Sequence, residues 1–130
     1  SYDRLVLRRK GRVDGWIVTR TLAGGRLRKG RIVDILACRD DFEAWYLLLK
    51  GAVDRFRRSG ADLVHGLGPP VDALMRAYRA AGFKANPEHS RESQYIAYNR
   101  IDGLDQDAFY NGDNWYVTLG DSDTDFATPE

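Results

Sequence analysis

The chain has 130 residues, of which 43% are apolar and 30% charged, and it contains one cysteine. This length and composition are typical of a globular domain that buries its core without disulfides. The single cysteine, Cys38, excludes an internal disulfide and fits a reducing compartment such as the cytoplasm. No apolar run approaches the ~20 residues that span a bilayer, which argues against a membrane partner.

Charge is distributed unevenly, although the net charge is only +1. Residues 1–31 carry ten Lys/Arg and two Asp, whereas residues 101–130 carry eight Asp/Glu and no Lys or Arg. A basic segment suits an anionic partner such as nucleic acid or a phosphorylated cofactor. The acidic C-terminal third argues against nucleic acid, and mutual neutralisation of the two ends is the alternative explanation.

The first third of the chain predicts an antiparallel hairpin. Tyr2–Arg9 places Leu5 and Leu7 on one face against Val6 and Arg8 on the other, and Val13–Leu22 is rich in β-formers. The next stretch, Ala23–Gly30, holds three glycines among basic residues, and we interpret it as a flexible polar loop. It is not a phosphate-cradling motif, because no helix follows it.

The centre of the chain predicts a strand–helix–strand–helix unit. The apolar run Arg31–Ala37 predicts a strand buried on both faces, and Asp41–Arg58 predicts an amphipathic helix. A second strand is expected over Ala61–Leu67 and a second helix over about Val71–Ala81. Such a unit builds a parallel strand pair and offers a site at the strand ends. The buried stripe of the first helix is expected at Phe42, Trp45, Leu49, Ala52 and Phe56.

Local signals place the ends of the two helices. Asp40 is the expected N-cap of the first helix, with Glu43 three residues later as in a capping box. Gly60 is the expected left-handed stop. Pro70 suits the first turn of the second helix, and Gly82 ends it.

The last third predicts two more strands, Ser93–Arg100 and Asn114–Leu119, with an acidic loop over Asp102–Asp113 between them. The whole chain therefore predicts an α+β fold with a mixed, mostly antiparallel sheet and a central parallel strand pair, in the order β-β-β-α-β-α-β-β. We expect one domain over residues 1–120 and an acidic tail over residues 121–130.

A tyrosine four residues before a helix-ending Gly-Phe is the sharpest local signal. Tyr78, Gly82 and Phe83 form the pattern Y-x-x-x-G-F after a strand and a short turn. This pattern resembles the GNAT superfamily of N-acetyltransferases, and the resemblance implies that the Tyr78 hydroxyl protonates a departing thiolate. A core tyrosine is the alternative, because Tyr78 shares an apolar helix face with Val71, Leu74 and Met75.

The second element of the resemblance is the turn before the first helix, where the family carries Q/R-x-x-G-x-G/A. The matching stretch consists of Arg39, Asp40, Asp41, Phe42, Glu43 and Ala44. Its first and last residues fit the pattern, whereas Phe42 replaces the middle glycine and three carboxylates add negative charge. The resemblance implies that backbone N–H groups of this turn bind the pyrophosphate of acetyl-CoA or another acyl-CoA. An ordinary capped helix is the alternative.

The resemblance also implies the rest of the site and the function. The pantetheine arm of the donor is expected to pair with the backbone of Ile35, Leu36 and Ala37. The implied reaction is transfer of an acetyl or acyl group from CoA to the amine of a small molecule or a protein. The alternative is a non-catalytic interaction or regulatory domain that has lost CoA binding.

The resemblance covers Asp14 to Phe83, whereas the family usually has a further strand and two helices before the hairpin. We therefore expect the C-terminal part of a GNAT-like protein, or one half of a longer or tandem molecule, in which a second domain is a candidate partner. The start at Ser1 agrees with that expectation. The segment from Trp115 to Asp123 looks like the end of some bacterial GNAT-like chains.

Three further side chains are candidate catalytic groups. Asp34 lies mid-strand among apolar neighbours, and a buried carboxylate with a raised pKa is a candidate general base; a structural Asp paired with Arg or a backbone N–H is the alternative. His65 fits a satisfied core histidine better than a base. Cys38 belongs to no Cys/His motif, and one Cys with two His gives no zinc spacing.

Overall fold

The computed structural model of the chain describes residues 1–66, 68, 69, 71–85, 103 and 105–111. The elements within these ranges are β1 (Tyr2–Arg9), β2 (Arg12–Gly24), β3 (Leu27–Ala37), α1 (Phe42–Arg58), β4 (Leu63–His65), α2 (Asp72–Ala80) and α3 (Gln106–Tyr110). Their order up to α2 is the predicted one.

Two compact units divide the chain. Ser1–Lys84 and Val117–Glu130 belong to the first unit, and Ala85–Tyr116 to the second. All of the described strands and the helices α1 and α2 lie in the first unit, whereas α3 lies in the second. The proposed boundary between residues 120 and 121 falls outside the described ranges, so the division into a domain and an acidic tail stays a prediction.

The four described strands form one mixed sheet in the order β1-β2-β3-β4. β1 pairs with β2 and β2 with β3 in antiparallel fashion, whereas β3 and β4 are parallel and joined through α1. A parallel pair needs a crossover of this kind, and a helix supplies it. The sheet therefore confirms the predicted α+β class and its parallel pair.

The core of the first unit lies between one face of the sheet and the helices α1 and α2. Its largest fully buried apolar side chains are Ile17, Ile32, Ile35, Trp45, Leu49 and Leu74. Alternation along the strands supplies the sheet half of this core, and three- and four-residue steps supply the helix half. The predicted stripe of α1 is confirmed at Trp45, Leu49, Ala52 and Phe56, whereas Phe42 is only half-buried.

The predicted polar loop over Ala23–Gly30 is wrong. β2 and β3 continue toward each other with only Gly25 and Arg26 between them, and Gly25 has a φ of 70° that suits a tight turn. Gly30 lies inside β3 under the ring of Phe56, where an added Cβ would be 2.6 Å from Phe56 Cδ1. Packing therefore requires glycine at position 30. In sequence it looks like a loop residue, because its neighbours are glycines and basic residues.

Helix α1 begins at Phe42, one residue later than predicted. Asp41, not Asp40, is the N-cap, and its Oδ1 accepts the backbone N–H of Ala44 at 3.0 Å. The amide of Asp41 itself donates to the Cys38 carbonyl at 3.0 Å, which closes a turn between β3 and the helix. That turn determines which aspartate caps the helix. Sequence alone does not distinguish the adjacent Asp40 and Asp41.

The later elements are close to their predicted positions. Gly60 has a φ of 73° and follows α1 as expected, and Gly82 has a φ of 95° after α2. β4 covers only Leu63–His65 of the predicted Ala61–Leu67. Pro70 lies outside the described residues.

In the second unit, the described helix α3 falls within the predicted acidic loop Asp102–Asp113, which is therefore wrong at that point. Asp105 caps α3 by accepting the Ala108 N–H at 3.2 Å. The predicted strands Ser93–Arg100 and Asn114–Leu119 lie outside the described residues.

Candidate functional site

Strand β4 is short, and β3 continues well beyond the end of their parallel pairing. They pair only at Lys29 with Leu63, Gly30 with Val64, and Arg31 with His65. β3 then continues for six residues, Ile32–Ala37, which have no pairing with β4. We call Ile32–Ala37 the open edge, because among the described residues only β2 pairs with this segment.

A β-bulge interrupts the open edge. Val18 pairs with Asp34 and Thr19 with Ile32, so Val33 is an extra residue without a partner in β2. The extra residue turns Ile32 and Ile35 to the same, helix-covered face, although they are three positions apart. β3 is therefore not buried on both faces as predicted. Val33, at the bulge, is buried, whereas Asp34 and Leu36 are only half-buried.

Tyr78 projects from α2 to the point where β4 ends beside β3. The ring is 8% exposed and packs edge-on against Phe83, with ring centroids 5.0 Å apart. A Cβ added to Gly66, the residue after β4, would lie 2.7 Å from the Tyr78 hydroxyl oxygen. Glycine at position 66 therefore makes room for the hydroxyl beside the end of the parallel pair. The ring is a core side chain, while its polar end reaches the point where β4 ends and β3 continues, which we call the fork.

Asp34 lies on the other face of the sheet. It pairs with Val18, whereas the neighbouring Ile17 and Thr19 point to the helix-covered face. Asp34 is half-buried rather than buried, and its Oδ2 accepts the indole N–H of Trp16 at 3.4 Å. The structure thus does not bring Asp34 and Tyr78 together.

Three of the six backbone N–H groups in the turn Arg39–Ala44, those of Asp41, Phe42 and Ala44, donate to acceptors within the chain. Asp41 donates to Cys38 O at 3.0 Å, and Phe42 donates to Asp40 O at 3.1 Å. Ala44 donates to the Asp41 carboxylate, as described above. Arg39 is exposed, and its carbonyl accepts the indole N–H of Trp45 at 3.1 Å. The turn is therefore closed by its own hydrogen bonds.

A cluster of one arginine and three carboxylates joins β1 and β2 to the start of α1. We call Arg9, Asp14, Asp41 and Glu43 the Arg9 cluster. The Arg9 guanidinium binds Asp14 at 2.6 Å, binds Asp41, and lies 3.5 Å from Glu43. Hydrogen bonds from Arg9 hold the pKa of Asp14 and Asp41 below the ordinary range, and the Ala44 N–H adds to the effect at Asp41.

Comparison with known proteins by sequence gives no relative: no protein-family model and no curated protein matches the chain. Comparison by structure, in contrast, finds similar proteins. A protein of Thermus thermophilus (TTHA1254, wild type) is 19% identical and superposes with a TM-score of 0.59, covering 78% of this chain and 72% of the other.

Two acetyltransferases are also similar in structure. One is an aminoglycoside acetyltransferase from an uncultured soil metagenomic sample, with 14% identity, a TM-score of 0.54, and coverage of 75% of this chain and 65% of the other. The other is the ribosomal-protein-alanine N-acetyltransferase of Brucella melitensis biovar Abortus 2308, with 18% identity, a TM-score of 0.53, and coverage of 75% and 71%. The chain has a GNAT-like fold. At these identities the likeness concerns the fold alone.

The GNAT-like fold places some predicted site residues together and separates others. Tyr78 is at the fork, next to the open edge that contains Ile35, Leu36 and Ala37. Their roles stay predictions, as do those of Arg39, Asp40, Asp41, Phe42, Glu43 and Ala44 in the turn. Sequence reasoning missed Arg9, because its partner Asp41 is 32 positions away and no local pattern joins them. Within the described residues of this GNAT-like chain, every helix is too short or too polar to cross a membrane.

The Arg9 cluster predicts a pH-dependent stability. The pKa of Asp14 and Asp41 is lowered in the folded chain, so their contribution is complete above the unfolded pKa of about 4 and disappears as the pH falls through the folded pKa. Arg9→Met removes the shared partner. We therefore expect this variant to be less stable than the wild type at pH 7, with the difference shrinking toward pH 3.

Urea unfolding at several pH values measures that difference. The control is Arg12→Met, because the Arg12 side chain is 80% exposed and pairs only with Asp14 within the cluster; it should have a smaller effect. A wild-type-minus-Arg9→Met difference that stays constant from pH 7 to pH 3 would contradict the assignment.

Proposed function

We propose that this chain is a GNAT-like N-acyltransferase domain that transfers an acetyl or acyl group from a CoA thioester to an amine. The observation that carries the proposal is the fork, where β3 continues beyond the end of β4 and the Tyr78 hydroxyl lies beside Gly66. A backbone edge of six residues next to a phenolic proton donor is what an extended thioester donor requires. The structural likeness to two acetyltransferases supports the same reaction class.

The open edge would bind the donor as a short additional strand. Backbone groups of an unpaired strand edge bind extended chains through hydrogen bonds, and the alternate side chains set their position. In this proposal Ile35, Leu36 and Ala37 bind the amide groups of the pantetheine arm. The β-bulge at Val33 re-aims the backbone next to them, as bulges near active sites do.

Tyr78 would complete the reaction at the leaving sulfur. An acyl-CoA supplies the activated thioester carbonyl; the amine nitrogen forms the new C–N bond, and the C–S bond breaks. The Tyr78 hydroxyl donates a proton to the departing thiolate, and water or a carboxylate such as Asp34 accepts the proton lost by the amine. The position of Asp34 on the opposite sheet face favours water as that acceptor.

The acceptor in this proposal is a small-molecule or protein amine. One structural neighbour is an aminoglycoside acetyltransferase in complex with sisomicin, and another is a ribosomal-protein-alanine N-acetyltransferase. The two neighbours thus act on a small molecule and on a protein, respectively. A second domain of the same protein is a further candidate partner for this chain.

Titration of acetyl-CoA and CoA into the ¹⁵N-labelled chain tests the proposal. We expect the amide signals of Ile32–Ala37 to shift, with little change at Lys10 and Gly11 in the β1–β2 turn, which serve as the internal control. No shift at the open edge with either ligand would refute donor binding there. Turnover that is unchanged in Asp34→Asn would exclude Asp34 as the base.

A non-catalytic interaction domain is the second candidate function, and the sheet face opposite the helices favours it. Val6, Trp16 and Leu36 form one row across three strands on that face, and Val6 and Trp16 are 52% and 39% exposed. Arg4 and Arg8 flank Val6 on the same strand face. Exposed apolar rows with polar margins are typical of interaction surfaces. The donor titration above decides between the two functions.

A further inference from the structure

We infer that the N-terminus of α1 is filled by the chain's own anion, Asp41, and does not hold the diphosphate of an acyl-CoA. Only the identity of the donor rests on the proposed function; the hydrogen bonds and charges that support the inference hold for any function of the chain. The inference corrects the site that the resemblance assigns to Arg39–Ala44.

A diphosphate bound at a helix start needs backbone N–H groups that point at it and have no other acceptor. Three amides of the turn do not meet this condition. The amides of Asp41, Phe42 and Ala44 donate to Cys38 O, Asp40 O and Asp41 Oδ1, respectively. The amide of Trp45 is already in the helix ladder, donating to the Asp41 carbonyl at 3.2 Å. A diphosphate would have to displace the Asp41 carboxylate to reach the N–H of Ala44.

The charges of the turn also oppose a diphosphate. Asp40, Asp41 and Glu43 place three carboxylates within four residues, and the pKa of Asp41 is lowered, so it stays ionised at neutral pH. The positive end of the helix dipole, which would attract a phosphate, faces the Asp41 carboxylate instead. A diphosphate bound at the helix start would be repelled by the carboxylates of Asp40, Asp41 and Glu43.

Arg9 holds this internal anion in place. It comes from the end of β1, binds Asp14 of β2 and Asp41 at the start of α1, and reaches Glu43 at 3.5 Å. The Arg9 side chain is 28% exposed and is shared by these carboxylates, so it is not available to a phosphate. The Arg9 cluster thus supplies both the anion and its countercharge from within the chain.

Removing the Asp41 charge should open the site. In Asp41→Ser the serine hydroxyl can still cap the helix, while Arg9 loses its partner at the helix start. We expect inorganic pyrophosphate to shift the amides of Phe42–Trp45 in this variant, and the binding to weaken with added salt. The matched control is Asp54→Ser, the same change at an exposed position of α1 far from its start.

Amide signals read out the two sites separately. For the wild type we expect neither pyrophosphate nor CoA to shift the amides of Phe42–Trp45, and we expect acetyl-CoA and S-acetylpantetheine to bind with similar affinity. Shifts of Phe42–Trp45 in the wild type, or no gain of pyrophosphate binding in Asp41→Ser, would overturn the inference. CoA shifts at Ile32–Ala37 test the proposed function instead, so either idea can fail while the other stands.

Discussion

Replacement of Trp45 by alanine should lower the free energy of unfolding by about 3–5 kcal/mol. The Trp45 side chain is fully buried between α1 and the sheet, so its loss leaves a large cavity. Its indole N–H also donates to the Arg39 carbonyl at 3.1 Å, so the variant loses a tie between the core and the turn before α1. Since domains of this size are stable by only about 5–15 kcal/mol, this change removes a large fraction of the total.

Urea unfolding of the wild type and of Trp45→Ala measures the loss. Leu47→Ala is the control on the same helix, because Leu47 is 39% exposed, and its effect should stay within about 0.5 kcal/mol. A loss below about 1 kcal/mol in Trp45→Ala would mean that the core does not rest on this side chain.

Tyr78→Phe should reduce acyl transfer by a factor of about 10² to 10⁴, the usual contribution of a general acid. The ring, its buried packing and its edge-on contact with Phe83 remain in the variant, so the fold should be retained. Only the hydroxyl beside Gly66 is lost. The expected change is therefore in turnover rather than in donor binding.

A transferase assay with acetyl-CoA and a panel of amines, together with a thermal melt, measures both properties. Tyr46→Phe is the matched control, because it removes the same hydroxyl from a half-buried tyrosine of α1 that stacks on Phe42. Turnover of Tyr78→Phe within about twofold of the wild type would assign Tyr78 to the core alone. If the residual turnover of Tyr78→Phe no longer decreases at alkaline pH, that result would support the acid role of Tyr78.

The helical parts of this fold could be read from sequence because their signals are local. The stripe of α1 recurs every three or four residues, and Gly60 and Gly82 end the helices within one turn of the predicted positions. The tyrosine four residues before Gly82 is a signal of the same short range. The structure places that residue, Tyr78, at the fork, where β4 ends and β3 continues.

The strands and the turn required information that sequence does not hold locally. Gly30 looks like a loop residue until Phe56, 26 positions later, is seen to pack on it. The bulge at Val33 depends on the register with β2, which alternation alone does not fix. The pairing of Arg9 with Asp41 is a contact in space between β1 and α1, so the charge pattern of the turn was visible but its partner was not.

Cys38 gives this chain a built-in attachment point for a spectroscopic label. It is the single cysteine of the sequence, its thiol is exposed, and it follows the last residue of β3. Its carbonyl accepts the Asp41 amide, so the backbone that carries a label is anchored at the start of α1. A maleimide dye or nitroxide at Cys38 would lie next to the end of the open edge, where its emission or line shape reports donor binding in the unmutated chain.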